Sequence, residues 1–110
     1  MNIHLKPNVS AVAYVVTGAL AMITAEVPVH NEENCPVEFS IYNQVIDPSG
    51  SIVTTTETRY RLGAGAEETI LDELLRVKDP VNCLEGYTLR SLLRVGEQIA
   101  DSIDVGIRIV

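Results

Sequence analysis

At 110 residues, 46% of them hydrophobic, the chain is long enough for one domain (1–110) to bury a core without disulfide or metal support. One Phe, four Tyr and no Trp make that core aliphatic. The net charge is −7, with 3 basic against 6 acidic residues up to Leu62 and 5 against 9 after it, so neither half is basic, which excludes nucleic acid or an anionic membrane as the main partner.

Residues 7–25 are uncharged between Lys6 and Glu26, which invites comparison with a membrane span or a signal peptide. Asn8, Ser10, Thr17, Gly18 and Thr24 interrupt the stretch, and no basic cluster flanks it. We therefore expect two buried strands over residues 10–17 and 20–29, reversing near Thr17-Gly18. Pro28 cannot donate to a ladder and marks an edge or exit. Residues 30–35 (His-Asn-Glu-Glu-Asn-Cys) read as a solvated polar turn.

Residues 36–62 form the most strongly specified stretch. Asp47-Pro48-Ser49-Gly50 has the residues of a tight turn: Asp to bind the turn backbone, Pro to fix φ, Gly to close it. Before it, Val37, Phe39, Ile41 and Val45 alternate with Glu38, Ser40, Tyr42 and Gln44. After it, Ile52, Thr54, Thr56, Thr58, Tyr60 and Leu62 alternate with Val53, Thr55, Glu57, Arg59 and Arg61. β-Branched Thr at four of positions 54–58 favours strand over helix. A hairpin with one charged face follows.

Gly63-Ala64-Gly65-Ala66 reads as a flexible joint. It resembles a phosphate-cradling loop, but lacks the Lys-Ser/Thr that a Walker loop needs and runs into Glu67 and Glu68. Residues 67–77 predict an amphipathic helix with Ile70, Leu71, Leu74 and Leu75 inward and Glu68, Asp72, Glu73 and Arg76 outward, ended by Pro80. A second helix is expected from Tyr87, with Leu89, Leu92, Leu93, Gly96, Ile99 and Ile103 on one face and Arg90 and Arg94 one turn apart on another. A last strand is expected over 102–110, with Ile103, Val105, Ile107 and Ile109 together. The expected class is α+β with β predominant: an antiparallel, sandwich-like meander around the hairpin at 36–62 and two short C-terminal helices.

No motif for catalysis emerges: there is no nucleophile elbow, no Cys/His pair at motif spacing and no His-Glu metal signature. His4, His30, Cys35 and Cys83 match no zinc spacing, so no metal and no cofactor are expected, and the two cysteines are expected as separate, partly buried thiols. The run Val45-Ile46-Asp47-Pro48-Ser49-Gly50-Ser51-Ile52-Val53 with its Thr-rich continuation resembles small structural proteins of tailed bacteriophages. That resemblance implies a non-enzymatic, homo-oligomeric virion subunit of head, neck or tail, in virion or host cytoplasm, with other copies and assembly proteins as partners. The alternatives are a small ligand- or metal-binding module or a secreted β domain. Glu57, Arg59, Arg61, Arg90 and Arg94 are the candidate interface, because arginine forks pair readily with a partner's carboxylates.

Overall fold

Among the described residues, alternating side chains and tight turns produce eight strands: β1 (Ile3–Leu5), β2 (Ser10–Thr17), β3 (Leu20–Asn31), β4 (Val37–Ile46), β5 (Ile52–Leu62), β6 (Glu67–Lys78), β7 (Thr88–Val95) and β8 (Gln98–Ile109). The computed structural model describes residues 2–17 and 19–110, with backbone alone at Thr17, Asn82 and Cys83. One layer holds β3 between β6 on one side and β1 and β2 on the other, all antiparallel. The other runs β5, β4, β7, β8, again antiparallel. A short parallel pairing of Ala11–Ala13 with Ile107–Ile109 joins the layers along one side. The chain changes layer after Asn31, after Leu62 and after Lys78. This is the Greek-key β-sandwich of immunoglobulin type, with the strand after the third long one, β5, kept in the second layer.

The core is aliphatic, as expected. Ile23, Val27 and Val29 of β3 and Leu75 of β6 face Ile41 and Val45 of β4 and Leu89 and Leu93 of β7, all fully buried. Ala11, Ala13, Ala21 and Ala25 are buried where β2 and β3 pair. Phe39 stacks on Tyr60 across the β4–β5 ladder, with ring centroids 6.2 Å apart. The predicted strands at 10–17 and 20–29, the hairpin and its two faces, and the final strand are all present. At the hairpin turn Gly50 N donates to Asp47 O, and Asp47 Oδ1 accepts from Ser49 N, Ser49 Oγ and Ser51 N. Those hydrogen bonds, the Ser49 hydroxyl foremost, hold the Asp47 carboxyl below its ordinary range.

The two C-terminal helices are corrected: among the described residues there is no α-helix, only a 3-10 turn at Val81–Leu84, and the class is all-β. In β6 the pairing passes from Ile23 with Leu75 to Ala25 with Asp72, so Glu73 and Leu74 oppose Thr24 alone. This bulge places Ile70, Asp72, Leu75 and Val77 inward, a spacing that breaks alternation and imitates a helix. Leu71 and Leu74, expected inside, are 49% and 73% exposed, whereas Asp72, expected outside, is 3% exposed. In β7 the inward residues are Leu89, Ser91 and Leu93, so a polar side chain in the middle conceals the strand period. Gly96 lies at φ 60° and opens the two-residue loop Gly96-Glu97 between the partners Val95 and Gln98. That is the first position of a type II′ hairpin, where glycine is favoured.

One polar network crosses the core. Asn43 Nδ2 (β4) donates to Asp72 Oδ2 (β6) at 2.9 Å, Ser91 Oγ (β7) donates to Asn43 Oδ1 at 2.6 Å, and Thr56 Oγ1 (β5) donates to Asp72 Oδ2. Asp72 Oδ1 also accepts from Leu74 N in the bulge at 3.0 Å. The Asp72 carboxylate of the first layer is thus bound directly by β4 and β5 of the second, and β7 joins through Asn43. No helix among the described residues is long and apolar enough to cross a membrane.

Candidate functional site

Strand period and register together decide which residues share the outer face of the second layer. Ser40 pairs with Arg59 of β5 and Arg94 of β7, Tyr42 with Glu57 and Leu92, and Gln44 with Arg90; Glu38 pairs with Arg61, and Arg90 with Asp104 of β8. All five candidate interface residues therefore lie on one sheet face. The sequence placed Glu57, Arg59 and Arg61 on a strand and Arg90 and Arg94 on a helix, two separate surfaces. The register makes them one. Half of the chain's eight basic residues gather here, and four guanidiniums face three carboxylates, Glu38, Glu57 and Asp104, in a chain of net charge −7.

Glu38, Ser40 and Tyr42 of β4, Glu57, Arg59 and Arg61 of β5, and Arg94 and Gly96 line an open groove of about 710 Å³ on this face. Tyr42 is its hub. The phenol donates to Glu57 Oε2 at 2.9 Å, and the Arg94 guanidinium sits 5.9 Å from the ring centroid, at the outer limit of a cation–π contact. Arg94 Nε donates to Gly96 O at 3.0 Å, which ties the groove to the β7–β8 turn. Arg90 is engaged: Nε and Nη2 fork onto Asp104 Oδ1 and Oδ2 at 2.9 and 3.1 Å. The pairing raises the Arg90 pKa and lowers that of Asp104, in each case chiefly through the shared hydrogen bond.

The other guanidiniums are more available. Arg59 touches Glu57 only loosely, at 3.7 Å, with 83% of its side chain exposed. Arg61 is exposed, with no ion pair or side-chain hydrogen bond among the described residues. Planar, incompletely paired guanidiniums beside a phenol ring suit carboxylates presented by a partner. Cys35 is a free thiol, exposed rather than partly buried, and the expectation for the Cys83 side chain falls outside the described residues.

No family model matches the sequence, and no curated protein matches it. The fold, in contrast, is shared with solved structures. A β-glucuronidase from glycoside hydrolase family 2 is similar to 97% of this chain with a TM-score of 0.85 and 16% identity. A putative β-galactosidase from Bacteroides fragilis is similar to 94% of it, with a TM-score of 0.83 and 19% identity. A β-glucuronidase from Bacteroides uniformis is similar over the same share, at 0.82 and 17%. This chain spans only 12%, 17% and 14% of those three chains. The phage virion reading is overturned by these matches. Its basis was the turn at 45–53, and Asp-Pro-Ser-Gly reports hairpin geometry, which any sandwich uses, and nothing of the assembly the sandwich serves. At this level of identity the likeness establishes the fold: the chain is a β-sandwich of the size and topology found as one part of much longer glycoside hydrolases.

Proposed function

We propose that this chain acts as an accessory β-sandwich module of a carbohydrate-active enzyme, contributing a docking surface and not the carboxylates that break the glycosidic bond. The observation that carries the reading is coverage. Nearly all of this chain superposes on a unit that is only 12–17% of each glycoside hydrolase, so the unit is one part among several there. Glycoside hydrolysis needs two carboxylates flanking one bond in a cleft that binds the sugar and admits the attacking water. The carboxylates of the groove, Glu38 and Glu57, stand on an open sheet face, and Glu57 is already engaged by Tyr42 and Arg59. The outer face with Arg59, Arg61 and Arg94 is then the docking surface, and a carboxylate-bearing surface of an adjoining domain is its partner.

The test has two arms. Purified 1–110 chain is assayed on 4-nitrophenyl β-glucuronide and β-galactoside, and is titrated against a glycoside hydrolase catalytic domain from the same genome. The expected result is no turnover above buffer and a saturable, salt-sensitive association weakened at least about tenfold by Arg59→Glu with Arg61→Glu. Turnover by the chain alone, or an association that this double variant leaves unchanged, overturns the proposal.

A further inference from the structure

The two histidines lie 26 positions apart in sequence with no motif between them, but the antiparallel register of β1 and β3 makes His4 and His30 direct cross-strand partners. Their rings meet edge to face, with centroids 5.5 Å apart. On the far side of β3, His30 is also the cross-strand partner of Glu67 on β6. Glu32 is two residues beyond His30, so strand period returns its side chain to the same face. One imidazole from each of two strands, a carboxylate from β6 and one from the residue just past β3 thus converge on the outer face of the first layer, away from the arginine groove.

The distances separate an ion-pair cluster from a ligand set. Glu32 Oε1 is 3.4 Å from His30 Nδ1, Glu32 Oε2 is 3.8 Å from His4 Nδ1, and Glu67 Oε1 is 3.5 Å from His30 Nδ1. All three exceed the usual length of an N–H···O hydrogen bond. Two ligand atoms each about 2.0–2.1 Å from a tetrahedral ion lie roughly 3.3–3.5 Å apart, a spacing that both His30–carboxylate distances match and the His4–Glu32 distance exceeds by a few tenths of an ångström. One donor atom from each of His4, His30 and Glu32 falls within a span of 4.8 Å, so the set closes on an ion by small side-chain rotations. The backbone beneath is fixed: Glu32 N donates to Asn2 O, Lys6 N to Pro28 O and Asn31 N to Ala66 O. Fully buried Asn31 sits between two of the ligands, its amide donating to the carbonyls of Cys35, Leu62 and Gly63. Lys6 holds Glu67 in place at 3.0 Å through the oxygen that does not face His30. Rigid strands and a supported second carboxylate are what a preorganised metal site requires.

We infer that His4, His30 and Glu32 form a binding site for a divalent first-row transition metal, with Glu67 as the fourth ligand or the support of a bound water. Two imidazoles and carboxylate oxygens select zinc, nickel or copper over calcium and magnesium, which take all-oxygen shells. The ion clamps the three-residue strand β1 to β3 and β6.

Tag-free 1–110 chain is titrated with zinc chloride by calorimetry at pH 7.5 and melted with and without the metal, beside His4→Ala/His30→Ala, Glu32→Gln and Cys35→Ser. The expected result is one zinc per chain, a Tm rise of roughly 10 °C at about 100 times Kd, and amide exchange at Ile3–Leu5 slowed by the metal. The double histidine variant should bind more than about 100-fold more weakly, and Glu32→Gln should weaken binding at least about tenfold, while Cys35→Ser binds as the parent does. The parent chain failing to saturate below 1 mM (roughly 4 kcal/mol of binding) overturns the inference. So does undiminished binding by the double histidine variant, or by Glu32→Gln if the former does not fold, and so does loss of binding with Cys35→Ser.

Discussion

Replacing Asp72 by alanine should be among the most damaging single changes available, although the residue looks in sequence like part of a solvated charged face. The carboxylate accepts from Asn43, Thr56 and Leu74 N, and the side chains of Asn43 and Asp72 are both buried. Each buried donor stripped of its acceptor costs about 1–3 kcal/mol, and relief of the carboxylate's own desolvation offsets part of that, for a net loss of about 3–4 kcal/mol. For a chain of this length, at about 2.1 cal/mol/K of unfolding entropy per residue, the loss lowers Tm by roughly 13–17 °C. Urea unfolding followed by far-UV circular dichroism, with Tyr fluorescence as a second probe, measures it. Asn43→Ala with Asp72→Ala should cost less than the sum of the two single changes by at least about 1 kcal/mol, since both remove the same bond. A loss under about 1 kcal/mol for Asp72→Ala, or strict additivity, would refute the claim that this network ties the two layers together.

Other perturbations read other parts of the fold. Arg90→Gln tests the pair with Asp104: because that carboxyl is held below its unfolded value, its contribution is present above pH 4 and is lost as pH falls through the lowered pKa. The stability difference between parent and variant should therefore be visible at pH 6, shrink with added salt, and vanish by about pH 2 in pH-dependent urea melts. Gly96→Ala forces a side chain into the left-handed φ of the β7–β8 turn and should cost about 1–2 kcal/mol by the same assay, with the dichroism of the native baseline unchanged. Asn31→Ala removes donors to three carbonyls and the acceptor for Glu33 N, and should cost about 2–4 kcal/mol. It should also raise amide exchange across 31–36, read by mass spectrometry.

Strand β4 was legible in the sequence because four of its five alternating inward residues are apolar, Asn43 being the exception. The central hairpin announced itself because Val37, Phe39, Ile41 and Val45 alternate cleanly and Asp47 to Gly50 have one local use. The elements that misled combine a buried polar group with leucines on the outer face, Leu71 and Leu74 in β6 and Leu92 in β7. Asp72 and Ser91 occupy inward positions where the pattern demands an apolar residue, and they are tolerated because Asn43 satisfies both, Asp72 from across the core and Ser91 from the neighbouring strand. With those two positions read as outward, β6 and β7 lose their period of two and acquire one near that of a helix. The bulge at Glu73-Leu74 completes the disguise in β6. β1 was missed because three residues carry too short a pattern to register.

The same reasoning explains why the sites were only half visible. Sequence period assigns each residue to a face of its own strand, and it did so correctly for Glu57, Arg59 and Arg61. It does not say which strand lies beside which, since register comes from long-range pairing of faces and from turn geometry. The arginine face needs the ladders of β4 with β5 and with β7. The histidine cluster needs β3 flanked by β1 and by β6, which are far apart in sequence at Ile3–Leu5 and Glu67–Lys78. Spacing rules for zinc motifs, which assume ligands close in sequence, pass over such a set. Any search of sandwich sequences for ligands therefore has to compare residues across paired strands, and here it is the middle strand β3 whose two neighbours decide what His30 meets.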